Sequence, residues 1–114
     1  MAARGVDLFQ GTLDMLILKA VSWGPVHGYS VARWLQDTTN DVLQVEEGSL
    51  YPALHRMEAR DWIVADWGLS ENNRRAKFYK LTPKGRKQLR AQATTWARFS
   101  DAVRLVMSAT SQPA

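Results

Sequence analysis

A chain of 114 residues has room for one domain and one additional long helix, and with 46% hydrophobic residues it can bury a core. Cysteine is absent, which excludes disulfide frameworks, thiolate nucleophiles and Cys-based zinc sites. No apolar run approaches a membrane span, Met1 to Asp7 holds no apolar core of the signal-peptide kind, and the net charge is +4, so a cytoplasmic protein with an anionic partner is expected.

Gln10 to Trp23 reads as a helix, because Leu13, Leu16, Ile17 and Ala20 recur at spacings of three and four. Gly24-Pro25 stops it, Gly24 supplying a left-handed cap. His27 is a turn residue, and a second helix spans about Tyr29 to Gln36 with Val31, Trp34 and Leu35 inward. Asp37 to Asp41 is a polar break, and Val42 to Val45 reads as either a strand or a lead-in. A third helix is predicted from Gly48-Ser49 to about Arg60, with Ser49 as N-cap, Pro52 in the first turn, and Leu50, Leu54 and Met57 buried.

After Asp61 the period changes. Trp62 to Trp67 and Ala76 to Leu81 are rich in aromatic and β-branched residues and flank the polar turn Gly68 to Asn73, which predicts a hairpin. Thr82 caps a last helix that has Pro83 at its first position and extends to about Ser108. Ser111 to Ala114 is read as a tail. The fold class is therefore mainly α with a small β-hairpin: a winged helix-turn-helix over residues 8–82, a long C-terminal dimerisation helix over 83–110, and a tail over 111–114.

Charge is distributed unevenly over these elements. The first 71 residues carry five basic and ten acidic side chains, the remainder ten basic and one acidic, and Asn72 to Ser100 contains no acid. A segment of one sign repels itself unless it meets a polyanion. The wing concentrates this charge in Asn72, Asn73, Arg74, Arg75 and Lys77, with Arg75 and Lys77 on one strand face and Ala76 and Phe78 on the other.

The segments GTLDMLILKAV (Gly11 to Val21), GPVHGYSVARWL (Gly24 to Leu35), VEEGSLYPALHRMEARDWI (Val45 to Ile63) and ENNRRAKFYKLTPKGRKQL (Glu71 to Leu89) resemble the PadR family of bacterial regulators. The single C-terminal helix is similar to that of its small subfamily. Asp61 stands where the family carries glycine, and aspartate tolerates the left-handed turn expected there. The resemblance implies homodimers on operator DNA that act as repressors.

For double-stranded DNA, the third helix is expected in the major groove, with Ser49, Tyr51, His55 and Arg56 as contacts. Arg56 is the side chain able to make a bidentate guanine contact. Tyr29 is a lateral backbone contact, and Asn73, Arg74, Arg75 and Lys77 meet phosphates or the minor groove. Glu46, Glu47 and Glu58 oppose phosphate.

On the last helix, Leu89, Ala93, Trp96, Ser100, Val103 and Met107 form a heptad-like seam, widened by Phe99 and Val106, that predicts homodimers on a pseudo-palindromic site. The resemblance further implies a cavity at the dimer centre, where Trp96 and Phe99 receive a flat hydrophobic effector; simple interface packing of the two is the alternative. No cofactor or metal is expected. His27 and His55 lack ligand spacing, no glycine-rich phosphate loop occurs, and no nucleophile has an evident base, so catalysis is not expected. A winged-helix protein-interaction module without DNA binding is the second reading, which the basic wing disfavours.

Overall fold

The computed structural model describes residues 3–5 and 10–114; the expected domain start at residue 8 lies outside them. In chain order the elements are β1 (Ala3–Gly5), α1 (Gln10–Ala20), β2 (Val26–His27), α2 (Gly28–Thr38), β3 (Leu43–Val45), α3 (Glu47–Ala59), β4 (Ile63–Leu69), β5 (Arg75–Leu81) and α4 (Pro83–Met107). The fold is mainly helical, with three compact helices, a hairpin wing and one long helix. β1 pairs with β3, and a separate antiparallel sheet runs in the order β2-β5-β4.

The core lies where α1, α2 and α3 meet under the sheet. Leu13, Ile17 and Leu18 close it from the first helix and Val21 from the turn after it, Val31 and Leu35 from the second, and Leu50, Ala53, Leu54 and Met57 from the third. These are helical spacings, so each helix buries one stripe and leaves the opposite face free. Ile63 and Tyr79 cap the core from the sheet. Trp34, expected inward, is half-buried and meets Trp23 edge-on at 5.6 Å.

Several boundaries differ from the sequence reading. α1 ends at Ala20, not Trp23, where Ser22 switches to a tighter bond on the Lys19 carbonyl ahead of Gly24 at φ +135°. α3 starts earlier than expected: Glu46 is its N-cap without a side-chain bond, so Ser49 is a helical residue and not a cap. The favourable charge of Glu47 in the first turn suits this longer start. Pro52 consequently sits inside the helix, on an exposed face, and offers no N–H to the Gly48 carbonyl. The wing strands run further than predicted, and its turn shrinks to Ser70 through Arg74, closed by Ser70 N–H on the Arg74 carbonyl at 2.8 Å. β2 had no signal, since two residues carry no period.

The end of α3 is a Schellman turn. Trp62 N–H reaches the Met57 carbonyl at 3.0 Å and Asp61 N–H the Glu58 carbonyl at 3.0 Å, with Asp61 at φ +61°. Thr82 fastens the next helix to this turn. Its Oγ1 accepts from Gly85 N–H at 2.9 Å and donates to the Asp61 carbonyl at 2.6 Å. Gly85 is required here, because a Cβ would stand 1.8 Å from the Trp62 carbonyl oxygen. Backbone cannot yield as a flexible side chain would. From Ala93 onward every residue is exposed, so α4 leaves the body, and with it included the described residues span 63 × 29 × 21 Å.

Replacing Gly85 by alanine is expected to lower unfolding stability by about 1–3 kcal/mol or more, the usual cost of overpacking. Urea denaturation checks this, and an unchanged midpoint would contradict the close approach.

Candidate nucleic-acid interface

His27 sets the start of the helix-turn-helix. Its Nδ1 accepts from Tyr29 N–H at 3.0 Å, which caps α2, and its ring meets Phe78 edge-on at 5.7 Å. The turn residue of the sequence reading is therefore both a cap and part of a strand. Tyr29 follows with half its surface exposed (53%). One helical turn later comes Arg33, a residue the sequence reading passed over; it is exposed and lines a cleft of about 440 Å³ with Tyr29, Gln36, Glu46 and Glu47. The spacing of four from Tyr29 was the available signal.

On α3, His55 is exposed, Ser49 is half-buried, and Tyr51 is half-buried against the core beside Gly28. Gly48, Pro52, His55 and Ala59 form the outward stripe. Arg56 is engaged inside the protomer. Its Nη2 donates to Oδ1 of buried Asp14 at 2.6 Å, turning the guanidinium toward α1 and away from the outward stripe. The residue expected to read guanine is occupied within the protomer, because a buried carboxylate without a cation is costly.

The wing is tied to this helix by Lys77, whose Nζ donates to Glu58 at 3.2 Å. That ion pair neutralises one of the three glutamates expected to repel phosphate and also uses one wing cation. Asn73, Arg74 and Arg75 remain exposed at the tip, with Asn73 at φ +59° in the turn. The Arg75 guanidinium lies 4.7 Å from the Trp67 ring centre, so an aromatic face holds the cation without neutralising it. The register Lys77↔Trp67 and Arg75↔Leu69 puts both basic residues on one sheet face.

A second surface lies between α1 and α4. A cleft of about 510 Å³ is lined there by Thr12, Met15, Gln92, Trp96 and Phe99 among others. Trp96 and Phe99 have ring centres 5.9 Å apart. Ala93, Trp96, Ser100, Val103 and Met107 are exposed, whereas Leu89 is half-buried on the chain's own core, so the open seam begins beyond it. Among the described residues no cluster of His, Asp or Glu could hold a metal, and no helix is long and apolar enough to cross a membrane.

Burial pushes the Tyr51 phenol above its ordinary value of 10.0, with the Glu47 charge adding to it. Burial likewise raises Tyr79, against the opposing pull of Lys77. Both phenols then hold their protons in the folded chain where the unfolded chain ionises. Their contribution to stability is complete below pH 10.0 and is lost as pH rises through the raised folded values. Unfolding free energy is expected to fall with alkali in that window, and Tyr51→Phe should make the fall shallower in denaturant titrations at stepped pH.

Residues 17–91 match the family described as transcriptional regulator PadR-like. The chain is similar to a PadR-like transcriptional regulator of Bacillus cereus, with 30% identity and a TM-score of 0.76 over 88% of this chain and 95% of that one. A Streptococcus mutans protein at 21% identity shares the fold, with a TM-score of 0.82 over 96% of this chain and 98% of that one. A transcriptional regulator of Mycobacterium tuberculosis is 35% identical over 74 residues, which span 64% of this chain and 64% of that protein.

Proposed function

The chain belongs to the PadR-like family of transcriptional regulators, not enzymes, and from that premise we propose that it is a homodimeric repressor of duplex DNA, relieved by a flat apolar ligand. Residues 8–82 form the DNA-binding unit in this reading, 83–110 the dimerisation helix, and 111–114 a tail. The observation that carries it is the joining of α3 to a cationic wing through Lys77 and Glu58, with Arg74 and Arg75 left exposed.

In the complex, Ser49, Tyr51 and His55 approach the major groove, where Tyr29 and Arg33 flank the backbone. Asn73, Arg74, Arg75 and part of Lys77's charge face phosphate. The acid-free stretch from Asn72 to Ser100 supplies an attractive field for the whole approach. In this reading Arg56 stays with Asp14 and is not counted among the base contacts. Two protomers related by a twofold axis, joined through Trp96, Val103 and Met107, present two α3 helices to a pseudo-palindromic operator. Trp96 and Phe99 then offer aromatic faces to a planar effector in the cleft beside α1. This reading places the regulator in the cytoplasm.

Replacing Arg74 and Arg75 by alanine is expected to weaken operator binding and to flatten its salt dependence, by about 0.9 in logarithmic slope for each phosphate no longer neutralised. Fluorescence anisotropy of a labelled duplex across a salt series measures this. A slope equal to that of the unaltered chain rejects the wing's role, and no duplex binding at low salt rejects the DNA reading in favour of a protein-interaction module. Sedimentation is expected to give a dimer, and tryptophan emission should be quenched saturably by a planar apolar dye. That quenching should be lost in Trp96→Phe, which separates Trp96 from the other four tryptophans.

A further inference from the structure

Asp14 is a buried acid in an apolar core, and neither groove reading nor dimerisation gives it a task. Its side chain is 4% exposed, and its bond to Arg56 joins residues 42 positions apart. The two residues stand on different helices with different duties. α1 walls the cleft through Gly11, Thr12 and Met15, while α3 carries His55 on its outward stripe. We propose that Asp14 and Arg56 are positioning residues whose ion pair passes the state of the α1–α4 cleft to the DNA-facing side of α3. This rests on the proposed effector and DNA binding and adds to them the route between the two sites.

Three observations carry the inference. First, Asp14 adjoins Met15 and lies two residues from Thr12 on one continuous helix, so displacing the cleft wall displaces the carboxylate. Second, the pair is incompletely made: Nη2 holds Oδ1 at 2.6 Å, but Arg56 Nε is buried without a partner. A guanidinium beside a carboxylate has a second, forked arrangement in which two N–H groups donate in parallel. In this proposal the ion pair is the element with two positions, single-bonded as observed and forked when α1 shifts. Third, the route continues past Arg56. His55 is its neighbour in sequence, and Glu58 grips Lys77 on the wing at 3.2 Å. A turn of α3 therefore alters the helix and the wing together.

The test uses the full chain in solution, with 8-anilinonaphthalene-1-sulfonate as the probe and proton–nitrogen NMR as the readout. The Trp96 indole N–H reports occupancy of the cleft, and the Arg56 Nε–H and the His55 ring report the far side. In the unaltered chain all three are expected to shift together and saturate at one probe concentration. In Asp14→Asn the Trp96 response should persist, while the His55 shift is lost. Arg56→Lys, which keeps the charge but cannot fork, should behave likewise and serves if Asp14→Asn does not fold. Asp14→Glu should restore part of the response, which a merely structural role would not require. The relay is overturned if Trp96 saturates with Arg56 Nε–H unmoved, or if His55 responds equally in the unaltered and altered chains. Failure of Trp96 to saturate is a different result: it removes the effector cleft itself, and the relay with it.

Discussion

Arg56 and Asp14 meet across 42 residues of chain, and how α3 sits on α1 follows from that ion pair. The apolar stripe of Leu50, Leu54 and Met57 supplies most of the attraction, but hydrophobic burial has no direction and would accept several rotations of the helix. A charged hydrogen bond at 2.6 Å accepts few. Removing Arg56 leaves the buried Asp14 carboxylate uncompensated, which is costly, whereas the partly exposed guanidinium can turn to water. With the guanidinium held inward, the outward stripe becomes Gly48, Pro52, His55 and Ala59. That face is slim enough to approach a groove closely, and it brings almost no positive charge with it.

Affinity for a polyanion must then come from elsewhere in the chain, and the wing is where the charge is. Lys77 screens Glu58, while Arg75 rests on Trp67 and Arg74 stands free at the tip. A cation over a ring loses side-chain freedom in advance but stays available to a phosphate, so less ordering is left for the moment of binding. The division of labour is the general one for duplex recognition: phosphate contacts supply grip and register, and a few side chains on the helix supply selectivity. Glu46 and Glu47 flank the start of α3, and in the proposed DNA complex they penalise misplacement of the backbone there, sharpening register at some cost in affinity.

The parts of this architecture that depend on local pattern were legible in the sequence. Leu50, Leu54 and Met57 announce a helix stripe, Thr82-Pro83 announces a helix start, and the aromatic and β-branched stretches on either side of Gly68 to Asn73 announce the wing. The left-handed turn at Asp61 was legible through the family resemblance, and it forms as a full Schellman turn. What was missed depends on partners distant in sequence. Arg56 reads as an exposed basic residue on an amphipathic helix until Asp14 is brought beside it. β2 is two residues long and exists only because β5 accepts it at Val26↔Tyr79 and His27↔Phe78. The early start of α3 follows from β3 delivering the chain already extended to Glu46, at φ −81° and ψ 155°, which no capping preference of Ser49 could reveal.

α4 raises the remaining structural demand. Its first turns are locked by Thr82 and by the tight seat of Gly85 under Trp62, yet from Ala93 onward it touches little of its own protomer. Trp96 and Val103 are each 43% exposed and Met107 79%, an apolar load that water disfavours at about 25 cal/mol per Å². A face of this length on a helix that leaves the body calls for a second surface of the same character, and an identical helix running back along it satisfies that by symmetry. The same face contributes Trp96 and Phe99 to the cleft against α1, so covering the seam and enclosing the cleft become one event in the proposed homodimer. In the proposed regulator a ligand lodged there presses on α1, because Gly11, Thr12 and Met15 of that helix form the wall opposite α4, and α1 carries Asp14.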